Sequence, residues 1–302
     1  MVLAGYGART SARAAGRKRR QQPGEHPIEA QTPSDPISVS TADAADAYAP
    51  ARIAARVATA GVAKATLPFL PLLTLAVLAG AFIAFGALFS QVATYDSQLG
   101  AGATRVLGGV TFSLGLVLVV VGGAELFTGN NLIVMARCDG AIGTGQLLRN
   151  WGIVYAGNAV GAVATAWLAA ASGVFAANDG ALAAHAIAIA TAKAQIPPDE
   201  AFFRGLLCNT LVCLAIWLSF AAHRVSGKIL AIVFPVSAFV ALGFEHSIAN
   251  MFVMPFGVFL GGDIGAADIA ANLLPVTLGN VVGGSLFVGI VYWIIYRRKP
   301  AG

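Results

Sequence analysis

Six apolar stretches, each at least as long as a helix that crosses a bilayer, follow one another through this chain, near 68–92, 104–136, 146–172, 201–222, 228–261 and 270–296. A helix rises about 1.5 Å per residue, so about 20 apolar residues cover a hydrocarbon core of about 30 Å. A soluble globule has too little polar surface to hide six such segments, and the composition agrees, with 57% of residues hydrophobic and only 11% charged. The expected fold class is an all-α membrane protein with six transmembrane helices. The second and fifth stretches exceed a simple span, and each is interrupted in its middle. Gly122-Gly123, Glu125 and Thr128-Gly129-Asn130 interrupt the second; Gly243, Glu245-His246 and Pro255 interrupt the fifth.

Charge collects where lipid ends. Of the 19 Lys and Arg, nine precede residue 65 and three form the run Arg297-Arg298-Lys299. Residues 1–48 have no apolar periodicity and too little apolar surface to offset chain entropy, so a disordered basic tail is expected there, ahead of a membrane domain at 49–298. Its cluster Arg17-Lys18-Arg19-Arg20 does not open a signal peptide, because no apolar stretch follows for more than forty residues. A solvated tail and a contact with anionic lipid are the two readings of that cluster. Residues 50–64 place Ile53, Val57 and Gly61 on one stripe and leave Arg52, Arg56 and Lys64 available to headgroups, the pattern of an interfacial helix. With the N-terminus inside, Arg137, Arg149, Arg224, Lys228 and the run at Arg297 join the tail on the cytoplasmic side of a plasma membrane, and Arg105, Lys193 and Arg204 fall opposite. Both termini are then cytoplasmic. Cys138, Cys208 and Cys213 form neither a disulfide framework nor a metal-ligand pattern, so no metal and no cofactor is expected. The basic residues lack interleaved aromatic platforms, which argues against nucleic acid as a partner.

The chain also matches itself. Glu125 and Asn130 have the spacing of Glu245 and Asn250, and each Asn precedes large apolar residues. Further on, Asn150 leads to Gly157-Asn158 as Asn272 leads to Gly279-Asn280. Each copy holds three helices, an odd number, so the second copy threads the bilayer in the opposite sense. A 3+3 inverted repeat follows, with halves at about 66–173 and 200–298. In such folds broken helices from both halves meet near the midplane and offer polar groups to a solute.

Few side chains inside these spans carry chemistry. Glu125, Glu245 and His246 are ionisable, and at the bilayer centre such groups cost about 3 kcal/mol each without partners. The glutamates read as acceptors for backbone N–H groups freed where the helices break, or as pore groups. His246 stands where the first copy has Leu126, and it is the one histidine in the interior of the six spans, which points to a pore-lining donor able to pass a proton. Thr128 is either a ligand-facing hydroxyl or a helix cap. Asn250 bonds either the imidazole or loop backbone. Lys193 lies in a loop, where it is either solvated or an attractor of anions. His26, His185 and His223 fall in the tail or near loops. Glu245-His246-Ser247 is no hydrolase triad, because neighbours on a helix point about 100° apart and no GxSxG elbow accompanies them, so no enzyme is expected.

At 122–140 (GGAELFTGNNLIVMARCDG), 150–162 (NWGIVYAGNAVGA), 243–257 (GFEHSIANMFVMPFG) and 272–286 (NLLPVTLGNVVGGSL) the chain resembles the formate/nitrite transporter family. The resemblance covers about residues 49–298. It implies a homopentamer of aquaporin-like protomers, each with its own pore for a small monovalent anion such as formate, nitrite or hydrosulfide. It further implies that His246 is the central pore histidine, Thr128 the threonine of the break, Asn250 the asparagine after the histidine and Lys193 an exterior lysine. Phe112, Leu116, Leu126, Phe127, Val212 and Phe239 resemble the residues of the apolar constrictions. The passage it implies is proton-linked and pH-dependent. An aquaporin-like pore for water or small neutral solutes is the alternative, and neither broken helix carries an Asn-Pro-Ala motif.

Overall fold

The computed structural model describes residues 47–176 and 178–298. The segment expected to be a disordered tail lies outside the described residues except for its last two, of which Tyr48 bonds through its N–H to the Ala221 carbonyl at 3.0 Å. Twelve α-helical segments follow: α1 Pro50–Ala65, α2 Phe69–Thr94, α3 Ala101–Gly122, α4 Phe127–Asn130, α5 Val134–Cys138, α6 Thr144–Ala171, α7 Ala181–Ala194, α8 Pro198–Ala221, α9 Val225–Ala241, α10 Ser247–Phe259, α11 Ala266–Val281 and α12 Val291–Tyr296. A 3-10 turn joins α4 to α5, and a π-helical segment, Val282–Ile290, carries α11 into α12 without a break.

The interruptions have local causes. Pro50 starts α1 with a φ already suited to a helix. Gly123 ends α3 in the left-handed region (φ 83°) and Gly243 does so after α9 (φ 74°), conformations that cost any other residue strain. Beyond these glycines, residues 124–126 and 244–246 run without helical structure before α4 and α10 begin. Five helices are long and apolar enough to cross a membrane: α2, α3, α6, α8 and the continuous α11–α12 unit. In the fifth apolar stretch Gly243 lies between helices of 17 and 13 residues, whereas Pro255, expected to interrupt the stretch, lies inside α10.

α2 packs between α3 and α6, as α8 packs between α9 and α11, and α3 meets α9 at the centre. Glycines let backbones touch. A Cβ on Gly161 of α6 would collide with the Val77 carbonyl of α2, and one on Gly283 with the Leu206 carbonyl of α8. Lipid offers no hydrophobic drive between helices, so such close van der Waals contact is what holds them. Phe252, Phe256, Leu72 and Ile83 fill the interior, whereas Leu70, Phe234 and Leu274 stand out on the surface as a lipid-facing chain requires.

Candidate functional site: two polar circuits around a histidine

Where the chain leaves helical hydrogen bonding, its backbone groups need other partners. Two asparagines provide them. Asn158 on α6 accepts from the Phe127 N–H at 2.9 Å and donates to the Ala76 and Glu125 carbonyls at 2.7 and 2.9 Å. Asn280 on α11 accepts from the Ser247 N–H at 2.9 Å and donates to the Gly205 and Glu245 carbonyls at 2.8 and 3.0 Å. The N–H groups of Glu125 and Glu245 donate to the carbonyls of Leu75 and Arg204. The expectation that the two carboxylates take up the freed N–H groups is therefore corrected. Their partners are side chains.

Lys64, at the end of α1, donates to Glu125 Oε1 at 2.6 Å. Asn130 donates to Glu125 Oε2 at 2.7 Å and to Asn150 at 3.0 Å, and Asn150 donates back to the Lys64 carbonyl at 3.0 Å. Lys193, at the end of α7, builds the same circuit. Its ammonium donates to Glu245 Oε1 at 2.7 Å, Asn250 donates to Glu245 Oε2 at 2.7 Å and to Asn272 at 2.8 Å, and Asn272 donates to the Lys193 carbonyl at 2.9 Å. Three sequence expectations change here. Lys64 turns inward to a carboxylate rather than out to headgroups. Lys193 sits on a helix in an ion pair, its side chain only 20% exposed, rather than free in a loop. Asn250 bonds neither the imidazole nor the loop backbone, and one of its own oxygens, Oδ1, has no protein partner.

Between the circuits stands His246. It caps α10, its Nδ1 accepting from the Ala249 N–H at 3.1 Å, and its Nε2 lies 2.9 Å from Thr128 Oγ1. An Nδ1 that accepts holds no proton, so the neutral ring carries its proton on Nε2 and donates to the threonine. Thr128 Oγ1 then keeps its own hydrogen, which has no acceptor among the described residues. Thr128 makes no side-chain helix cap. Its carbonyl is held by Asn209 Nδ2 at 3.2 Å and by the Cys213 thiol at 3.4 Å. Asn209 also donates to Asn131 Oδ1 and to the Asn280 carbonyl, both at 2.7 Å, and so ties the two breaks together.

On the Lys193 side a cavity of about 570 Å³ runs down to His246. Lys193, Arg105 and Arg204 line it against the single carboxylate of Glu245. His185 also reaches its wall rather than standing in open solvent, and burial pushes that imidazole below its usual value. Phe112 and Phe239 pack edge to face, 5.7 Å between centroids, and Phe239 stacks on the His246 ring at 6.0 Å. Beyond them a void of about 10 Å³, the lower limit for one water, is enclosed by Phe112, Leu116, Leu126, Val212, Phe239 and His246, with Ile83 and Val236 added by the structure. Phe127 is absent from this wall. It packs edge-on against Tyr155 and Trp151 at 4.8 and 6.2 Å, turned toward α6.

Comparison with known proteins follows the same outline. Residues 51–294 match the formate/nitrite transporter family. The chain is 40% identical to the formate channel FocA of Escherichia coli (strain K12) over 274 residues, 84% of this chain and 96% of that one. It is 41% identical over 255 residues to a probable formate transporter of Methanothermobacter thermautotrophicus, covering 78% and 92% of the two chains. Among solved structures, a pentameric formate channel with formate bound has a TM-score of 0.71 at 39% identity, covering 76% of this chain and 98% of that one. An FNT family ion channel has a TM-score of 0.74 at 32% identity, covering 81% and 98%.

Proposed function

The chain belongs to the formate/nitrite transporter family, and from that premise we propose that it is a homopentameric channel or transporter passing a small monovalent anion through each protomer, linked to a proton. Formate is the first candidate, since the relatives above include formate channels; nitrite and hydrosulfide are likewise small monovalent anions. The carrying observation is the Thr128–His246 contact of 2.9 Å, set between a basic cavity and an apolar plug. The protomer is read as a 3+3 inverted repeat of six spans, whose two breaks place the matched circuits on opposite sides of that contact. The N-terminal side is taken as cytoplasmic, so the cavity opens outward.

The physical sequence runs from charge to neutrality. Lys193 and Arg105 raise the anion concentration in the cavity. Lys193 suits this role because its ammonium has three donors and Glu245 takes one. A bare anion pressed into the plug loses its hydration, at a cost of several kcal/mol. The Thr128 hydroxyl donates to the anion at the plug's edge, and a proton delivered from or through the His246 Nε2–H lets it cross as the neutral acid. Flux therefore rises as the outside pH falls. Asn250 acts by holding Glu245 in place.

Purified protein in liposomes tests the reading with formate, nitrite and hydrosulfide side by side. Anion flux that grows toward acid pH in the wild type, with the pH response lost in His246→Asn, is the expected result. Passage of water alone would instead favour a pore for neutral solutes and would sink the anion reading.

A further inference from the structure

Apart from the pore, one cluster of charge on the α1 side is assembled around an aromatic ring. Tyr48 is fastened by its N–H to the end of α8, and its ring lies against the His223 imidazole, 4.1 Å between centroids. Two guanidinium groups rest on the same ring: Arg56 Cζ lies 4.3 Å and Arg52 Cζ 5.5 Å from its centroid. Arg224, next after His223, caps α9, and Lys228 follows one turn further on. The first turns of α1 and α9 hold no acidic residue, so both helix ends add positive potential.

Three other arginines near this side already have oxygen partners, whereas the Arg298 side chain has none among the described residues. Arg137 donates to Thr144, Arg149 to the Leu67 carbonyl and Arg297 to Asp139. Among the described residues Arg52, Arg56, Arg224 and Lys228 join no ion pair. α1 buries Ile53, Ala54, Val57 and Ala58, which turns Arg52 and Arg56 outward. Alongside, α8 and α9 expose Leu218, Val225, Leu230 and Phe234. Cations at the head of an apolar helix surface are what an amphiphile with a negative head would meet.

We infer that this cluster binds the phosphate of an anionic phospholipid headgroup. Arg52 and Arg56, held side by side by the Tyr48 ring, donate to its non-bridging oxygens in the planar manner that guanidinium groups favour. Arg224 and Lys228 flank it, and the acyl chains descend along α8 and α9. The apolar surface is the reason to choose a lipid over a soluble phosphate.

The test uses full-length protein in phosphatidylcholine vesicles, with spin-labelled phosphatidylglycerol or phosphatidylcholine as probe. A basic residue at a lipid surface is worth about a fivefold change in association. The wild type should hold the anionic probe more than about fivefold over the zwitterionic one, and Arg52→Ala with Arg56→Ala should cut that ratio at least about fivefold, with Arg224 and Lys228 keeping the remainder. Tyr48→Phe should keep the preference and Tyr48→Ala should lose it. Arg149→Ala removes a charge beyond the other end of α1, where it bonds the Leu67 carbonyl, and should leave it intact. Equal retention of both probes by the wild type overturns the site, as does an equal loss in Arg149→Ala. If inorganic phosphate stabilises the protein in detergent through Arg52 and Arg56 while the lipid preference is absent, the occupant is a free anion and the lipid assignment fails. Formate flux in pure phosphatidylcholine stays at the wild-type level in the double variant, so failure here is distinct from failure of the pore reading.

Discussion

The Lys64 and Lys193 circuits are nearly the same object made twice. Each joins a lysine, a glutamate and two asparagines, with the ion pairs at 2.6 and 2.7 Å. The surroundings differ. Leu126, Phe127, Thr128 and Gly129 in one break stand where the other has His246, Ser247, Ile248 and Ala249, and Asn130 Oδ1 accepts from Lys64 at 3.2 Å whereas Asn250 Oδ1 has no protein partner. The duplicated part is a frame that satisfies the backbone of each break. Each copy adds a polar group that the other lacks, Thr128 in the first and His246 in the second, and the two meet 2.9 Å apart across the seam between them.

Four measurements break or sharpen this comparison. The largest effect should come from the frame: Asn158→Ala and Asn280→Ala each orphan one N–H and two carbonyls, at about 1–3 kcal/mol per buried group. Both should lower thermal stability by about 4 kcal/mol, and a gap of more than about 2 kcal/mol between them would show that the copies are not equivalent supports. Next, His246→Leu makes the second copy resemble the first and removes a donor facing a charged ligand, so formate flux at acid pH should fall about 30-fold. Unchanged flux would mean the asymmetry is not where transport is controlled. Third, Lys193→Met should destabilise by about 2 kcal/mol and Lys64→Met by about 1 kcal/mol, since the more exposed Lys64 pair (31% against 20%) is better screened. Chemical denaturation in detergent gives the order; the reverse order would remove exposure as its cause. Smallest, Phe127→Leu should change flux less than about twofold and stability by no more than about 1.5 kcal/mol, because Phe127 packs on Tyr155 and Trp151, away from the plug. A large flux change would return it to the pore wall.

The sequence made the frame legible because its parts keep their spacing. Glu125 and Asn130, Glu245 and Asn250, and the asparagines at 150, 158, 272 and 280 each reappear in the circuits or the caps. What escaped were links between distant segments. Lys64 lies 61 residues from Glu125 and Lys193 lies 52 from Glu245, and neither separation carries a period. A hint existed in that each lysine ends a helix preceding a matched half. Phe127 was assigned to the constriction by resemblance alone, and no spacing could check it, because the extended residues before it reset the helical register set by α3. Ile83 and Val236 lie on helices apolar on every side, where no stripe marks the face that turns to the pore.

The glycine contacts carry a consequence for motion. Gly161 and Gly283 bring backbone against backbone, leaving no side-chain layer that could act as a bearing. Sliding α6 along α2, or the π-helical segment along α8, would drive carbonyls into each other before any gap opened. Any rearrangement of the plug would therefore fall to side chains rather than to sliding helices, first of all the Phe112 and Phe239 rings that pack edge to face across it.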